Sequence, residues 1–185
     1  MASGNGSNTE KIIHFFESHN LIEVALLLCN NPDAYVLERA RRNNVPSIVF
    51  KKKDLQNVTA LLGWLKDAQI THIVLAGFLL QLPSALIGSY PDRIINIHPA
   101  LLPKYGGRGM YGMNVHKAVL TAGDRETGIT IHLVNEEYDQ GRILFQERCA
   151  VESTDSPERL AEKVQALEYA NYPSIIEKWI INHNP

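Results

Sequence analysis

Residues Leu21–Cys29 read LIEVALLLC and residues Ile70–Leu80 read ITHIVLAGFLL, two near-continuous apolar runs rich in branched side chains. Strands buried on both faces of a parallel sheet show runs of this kind, because neither face needs polar residues. A shorter one, Ser47–Phe50 (SIVF), follows Val45-Pro46. Between them lie helical patterns: Asn8–Ser18, with Ile12, Ile13, Phe15 and Phe16 spaced for one face, then Asp33–Asn43 and Lys53–Ala68. Helix and strand alternating over short connections predict an α/β fold built on an open, mostly parallel, twisted sheet.

Beyond Ile94 the pattern changes. Arg93–Ile97 (RIINI) and Gly128–Asn135 (GITIHLVN) read as strands, and Ile143–Val151 (ILFQERCAV) follows Asp139-Gln140-Gly141, so the last two are expected to run antiparallel. Ser153 and Asp155 before Pro157-Glu158 signal a helix start, with a helix to Ala170 and a second from Ser174 to Ile181. No repeat, low-complexity tract or linker interrupts the 185 residues, and a chain of this length fits one domain, 1–185.

Composition narrows the function classes. Hydrophobic residues at 45% and charged residues at 21% exclude disordered and collagen-like chains. A formal charge of -2 gives no global pull toward nucleic acid or an anionic membrane, and no run approaches the roughly 18 apolar residues of a membrane span. Two cysteines, Cys29 and Cys149, lack the spacing of a disulfide framework or zinc site and suit a reducing cytoplasm. The expected partners are therefore small molecules, and the expected form is a cytoplasmic monomer or homodimer that binds no metal.

Ser3-Gly4-Asn5-Gly6-Ser7-Asn8 opens a helix with small residues around its positive end. That is a ready anion site, though an ordinary glycine-rich helix start explains the same residues about equally well. Such a loop normally follows a strand. Only three residues precede Gly4, so a first strand is expected upstream of residue 1, the alternative being a fold that has lost it.

Asn96-Ile97-His98-Pro99 ends a strand with Asn96 and His98 on one face, at the edge where open α/β sheets place ligands. An amide donor beside an imidazole suits acyl transfer, the amide stabilising an oxyanion and the imidazole handling a proton. Asp139, which alone would read as a turn former before Gly141, can be brought against His98. With no G-x-S-x-G and no cysteine beside a histidine, direct transfer between two bound substrates is favoured over a covalent intermediate.

Taken together, Gly4-Asn5-Gly6-Ser7-Asn8, Ala76-Gly77-Phe78, Asn96-Ile97-His98-Pro99, Leu101-Leu102-Pro103-Lys104-Tyr105, Gly128 to His132, Asp139 with Gly141, and Val164-Gln165, Glu168 and Tyr172-Pro173 resemble the phosphoribosylglycinamide formyltransferase family of purine biosynthesis. The resemblance spans nearly the whole chain. It implies a Rossmann-like, phosphate-binding half over 1–95 and a catalytic, folate-binding half over 96–185, with antiparallel strands and terminal helices. It implies formyl transfer from 10-formyltetrahydrofolate to the amine of 5'-phosphoribosylglycinamide, with Asn96, His98 and Asp139 as the catalytic trio. Gly6, Ser7 and Asn8 then match the substrate phosphate loop, and Gln165 and Glu168 match phosphate and ribose contacts. Phe78, Leu79, Leu80, Gln81 and Leu82 match the wall of the pterin pocket, closed by Ile95, Val134 and the backbone near Glu136.

Some positions depart from the family. Leu80 stands where many members carry Arg, so a polar contact to the folate tail must come from elsewhere. The Tyr105–Met113 loop is longer and richer in glycine, reading equally as a lid or an inert insertion, and His116 reads as a helix-start support. Lys51-Lys52-Lys53 reads as a solvated surface. Rival readings are formyltetrahydrofolate hydrolysis, which lacks room for a regulatory domain, formylation of methionyl-tRNA, which wants more positive charge, and a non-catalytic nucleotide-binding module.

Overall fold

The computed structural model describes residues 1–183. Its strands are β1 (Leu27–Cys29), β2 (Ser47–Val49), β3 (Ile73–Leu75), β4 (Ile94–His98), β5 (Glu126–Leu133) and β6 (Ile143–Ala150). Its helices are α1 (Ser7–Phe16), α2 (Val36–Arg42), α3 (Val58–Asp67), α4 (Ser84–Ser89), α5 (Met113–Ala122) and α6 (Pro157–His183), with a 3-10 turn over Lys52–Gln56. β1 pairs with β2 in parallel, and β3-β4-β5-β6 form a second sheet in which β3 and β4 are parallel and β4, β5 and β6 antiparallel. The fold is thus open and α/β.

Met1 to Ser3 lie between the two sheets. The Ala2 N–H donates to Leu28 O at 3.1 Å on one side, while on the other Ala76 N–H donates to Met1 O at 3.0 Å and Ser3 N–H to Gly77 O at 3.0 Å. Ala2 makes a parallel bridge to Cys29, which aligns β1 and β3. Behind Met1, an apolar cavity of about 120 Å³ runs between the extended stretch preceding β1 and residues 70–74. The apolar run from Leu21 therefore reaches ladder geometry only at Leu27.

Side-chain alternation assigns the two faces of the sheet. Ile95, Ile97, Ile129 and Ile131 pack with Ile12 and Phe16 of α1 and Tyr172, Ile176 and Trp179 of α6. Ile73, Leu75 and Ile94 pack on the other side with Leu61 and Leu65 of α3 and Leu86 of α4. Each such buried Leu or Ile contributes about 1.5–3 kcal/mol. In α1 Thr9, Ile12, Ile13 and Phe16 are buried, whereas Phe15 is 44% exposed.

α6 is one helix rather than the two expected, with Pro173 inside it. Proline lacks the N–H that would bond one turn back, which ordinarily breaks a helix. Here Tyr172 is fully buried and its hydroxyl donates to Leu75 O at 2.8 Å, pinning the helix to the sheet beside the lost bond.

Candidate active site

The C-terminal ends of β3 and β4 and the start of α1 surround a cavity of about 670 Å³. β4 brings Asn96 and His98 to its floor, since residues two apart share a face. Asp139 enters from the loop after β5, held at a φ of 56°. The structure brings the three together. Asp139 Oδ2 lies 3.5 Å from His98 Nδ1, and Oδ1 lies 3.5 Å from Asn96 Nδ2.

A fourth side chain joins them. His132 stands directly opposite Asn96 in the β4–β5 ladder. Its Nδ1 is 2.8 Å from Leu133 O, so that nitrogen carries the proton and Nε2 is left to accept from Asn96 Nδ2 at 3.2 Å. One amide hydrogen of Asn96 is thereby tied to the sheet, and the other is directed at Asp139 Oδ1 over a long 3.5 Å. Nε2 is also 3.5 Å from Asp139 Oδ1. The sequence showed His132 on a strand, but only the register places it against Asn96.

The backbone of the loop after β4 supplies the remaining contacts. His98 Nε2 is 2.7 Å from Tyr105 O, so Nε2 donates and Nδ1 faces the carboxylate. Gly107 N–H donates to Asp139 Oδ2 at 2.9 Å. Burial lowers the pKa of His98, against Asp139 and Tyr105 O, which favour its charged form. Burial opposes ionisation of Asp139, yet His98 and Gly107 N–H hold its carboxyl below the usual value. The resting pair is a neutral imidazole beside a carboxylate, able to take a proton at Nδ1. His116 on α5 also lines the cavity, buried and lowered in pKa by that burial and by His98.

At one end the cavity reaches the start of α1. Gly6 caps this helix at a φ of 77°, and an added Cβ would meet Val36 Cγ2 at 2.2 Å, so only glycine allows the loop to lie this close to α2. Asn8 Nδ2 donates to Glu168 Oε2 at 2.8 Å and Gln165 Nε2 to Ser7 Oγ at 3.4 Å, joining the glycine-rich loop to α6. Burial raises the pKa of Glu168 against its bond from Asn8. Gly6 and Ser7 shape this end without lining the cavity, whereas Asn8, Gln165 and Glu168 line it.

At the other end Phe78, Leu79, Leu80, Gln81, Leu82 and Val134 form an apolar wall, and Gln81 Nε2 donates to Glu136 O at 2.7 Å. Ile95 does not belong to it. It is fully buried on the opposite face of β4, among α1 and α6, because it alternates with Asn96. Lys52 lines the cavity, so at least one of the three lysines faces the site rather than bulk solvent alone. Among the described residues no group of His, Cys, Asp and Glu is arranged to hold a metal, and no helix is long and apolar enough to cross a membrane.

An Asn, a His and an Asp thus converge at the carboxyl edge of an open α/β sheet, and the chain belongs to the formyl transferase family, whose model matches residues 1–176. Its relatives include phosphoribosylglycinamide formyltransferases. The Bacillus subtilis enzyme is 35% identical over 182 residues, covering 96% of this chain and 91% of its own length. The chloroplastic enzyme of Arabidopsis thaliana is 43% identical over 180 residues, covering 94% of this chain. The chain spans about three fifths of the length of the two plant relatives, 62% and 58%. The crystal structure of phosphoribosylglycinamide formyltransferase from Bacillus halodurans superposes with a TM-score of 0.88 at 35% identity, covering 97% of this chain and 92% of that one.

Proposed function

We propose that this chain transfers the formyl group of 10-formyltetrahydrofolate to the amine of 5'-phosphoribosylglycinamide, a step of purine (IMP) biosynthesis. The observation that carries the reading is the Asp139 carboxylate, met by Asn96, His98, His132 and Gly107 N–H between a helix N-terminus and an apolar wall. The N–H groups at the start of α1, unpaired within the helix, take the phosphate, with Gly6, Ser7 and Asn8 shaping the loop. Gln165 and Glu168 take phosphate and ribose. The wall from Phe78 to Leu82, with Val134 and the backbone at Glu136, takes the pterin.

The substrate amine attacks the formyl carbon and a tetrahedral oxyanion forms. The amide hydrogen of Asn96 that makes only the long 3.5 Å contact with Asp139 Oδ1 turns to donate to it. The attacking nitrogen loses a proton, through water, to His98 Nδ1, where Asp139 stabilises the imidazolium. The same proton then passes to the departing folate nitrogen as its bond to carbon breaks, so no group on the protein is consumed. The protein acts in the cytoplasm as a monomer or homodimer on two small molecules, in keeping with its two free cysteines.

Purified protein given both substrates tests this. Loss of the formyl group that requires the amine, with formylated product formed in equal amount, is expected. Amine-independent loss would replace the reading with hydrolysis, and binding without turnover would replace it with a nucleotide-binding module.

A further inference from the structure

The imidazole that takes the proton and the carboxylate that stabilises it are both held by main chain. His98 Nε2 donates to Tyr105 O, and Asp139 Oδ2 accepts from Gly107 N–H. Gly106, between them, has no room for a side chain: an added Cβ would meet Leu102 Cδ2 at 2.7 Å and Asp139 Cβ at 3.2 Å. The turn over residues 104–107 is thus packed directly on Asp139, and its placement sets the His98–Asp139 geometry.

That turn does not hold itself. Tyr105 has a φ of 57° and Gly107 a φ of 93°. For a residue with a side chain the left-handed region costs roughly 1–2 kcal/mol, and it persists only where surrounding contacts impose it. Besides its bonds to His98 and Asp139, the turn is held from the side away from the cavity by Asp124. Its Oδ2 accepts from Tyr105 Oη at 2.9 Å and from Lys104 Nζ at 2.9 Å, and its Oδ1 accepts from Lys104 Nζ at 3.2 Å. Asp124 is itself fixed between α5 and β5, just beyond Gly123, which closes α5. Both donors hold its carboxyl below the usual value. Lys104 is 67% exposed along its side chain, so that ion pair is a weak one and the phenol is the contact that locks the turn.

We propose that Asp124 is a positioning residue for formyl transfer: by holding the Tyr105 hydroxyl it fixes the turn whose backbone aligns His98 with Asp139. Nothing in Asp124 reaches the cavity, so its effect passes through Tyr105 O and Gly107 N–H. The inference rests on His98 and Asp139 being the reacting pair, and its test carries a readout independent of turnover.

The full chain is compared with Asp124→Asn, Tyr105→Phe and Lys104→Met. The first two are expected to lose about tenfold in kcat, because small misplacements of reacting groups are costly, with KM for both substrates nearly unchanged. The double variant of Asp124 and Tyr105 is expected to be no worse than either alone, and Lys104→Met to stay close to the parent. Histidine imidazole NMR reads the alignment directly. His98 faces Asp139, His132, His116 and Tyr105 O, and weakening only the last should move its titration to lower pH in the first two variants. Exchange of the Gly107 amide proton should quicken in the same two. A shared kcat loss with both spectroscopic changes supports the proposal. Unchanged His98 titration and Gly107 exchange in folded Asp124→Asn and Tyr105→Phe overturn it. Moved titration with unchanged kcat overturns its catalytic part and puts the fault in the assignment of His98 and Asp139. If Asp124→Asn fails to fold, Tyr105→Phe alone decides by the same readouts.

Discussion

Asp139→Asn keeps the shape of the side chain and removes its charge. The amide oxygen can still accept from Gly107 N–H, and the new NH2 can donate to His132 Nε2, so the fold should survive. What disappears is the carboxylate 3.5 Å from His98 Nδ1 when the imidazole becomes charged. At an effective dielectric constant of about 20, two unit charges at that separation attract by about 5 kcal/mol, an upper bound. Asp139 is largely buried but borders an open cavity, which screens part of this. The expected loss in kcat is therefore about a hundredfold to a thousandfold, equivalent to about 2.7–4 kcal/mol. Steady-state kinetics with each substrate varied should show KM changed far less than kcat, as expected when the lost interaction exists only in the transition state. A folded Asp139→Asn variant with kcat within about fivefold of the parent would refute the proton-transfer role assigned to the pair.

His132→Ala leaves Asn96 Nδ2 without its partner at 3.2 Å, and kcat should drop about fivefold, the worth of one neutral hydrogen bond, with His132→Gln recovering part of it; equal rates would remove His132 from the site. Gly6→Ala adds a Cβ 2.8 Å from Val36 Cα as well as against its side chain, so truncating Val36 cannot fully relieve it, and KM for the phosphorylated substrate should rise about tenfold or more as the helix N-terminus shifts. An unchanged KM would separate this loop from phosphate binding. His98 and His116 both have pKa values lowered by burial, so the unfolded chain binds their protons more readily. Stability from these groups is full above the unfolded histidine value of about 6.5 and is lost as pH falls below it, and the Met1 amine, pushed down to about 5 by burial, adds to the loss between its ordinary 8.0 and 5. Denaturant midpoints should fall steadily from pH 8 to pH 6, and a flat or rising profile would contradict these environments.

The β4 segment shows how far sequence could go. Period-two alternation put Asn96 and His98 on one face, and the same rule already placed Ile95 on the other, away from the pterin wall. His132 needed the antiparallel register between β4 and β5, which no local pattern encodes. The run from Leu21 read as a buried strand throughout, but only Leu27–Cys29 are paired and buried and Leu21 is exposed, because pairing depends on what lies between β1 and β3. Pro173 suggested a helix end. A tertiary anchor, the Tyr172 hydroxyl on Leu75 O, keeps the helix continuous. α4 is six residues long, too short to leave a periodic signature.

Tyr105 O, Gly107 N–H and Leu133 O, the groups that orient the reacting side chains, are all main-chain atoms. A carbonyl oxygen of the main chain survives any point substitution, and an N–H any but one to proline. The exposed positions around them, such as Tyr111 at 50%, are therefore free to drift in identity while the chemistry persists, so long as the path of the chain is kept. Changes of substrate preference can be built on that rim without disturbing the main-chain contacts to His98, Asp139 and His132, which makes it the natural place to begin a redesign.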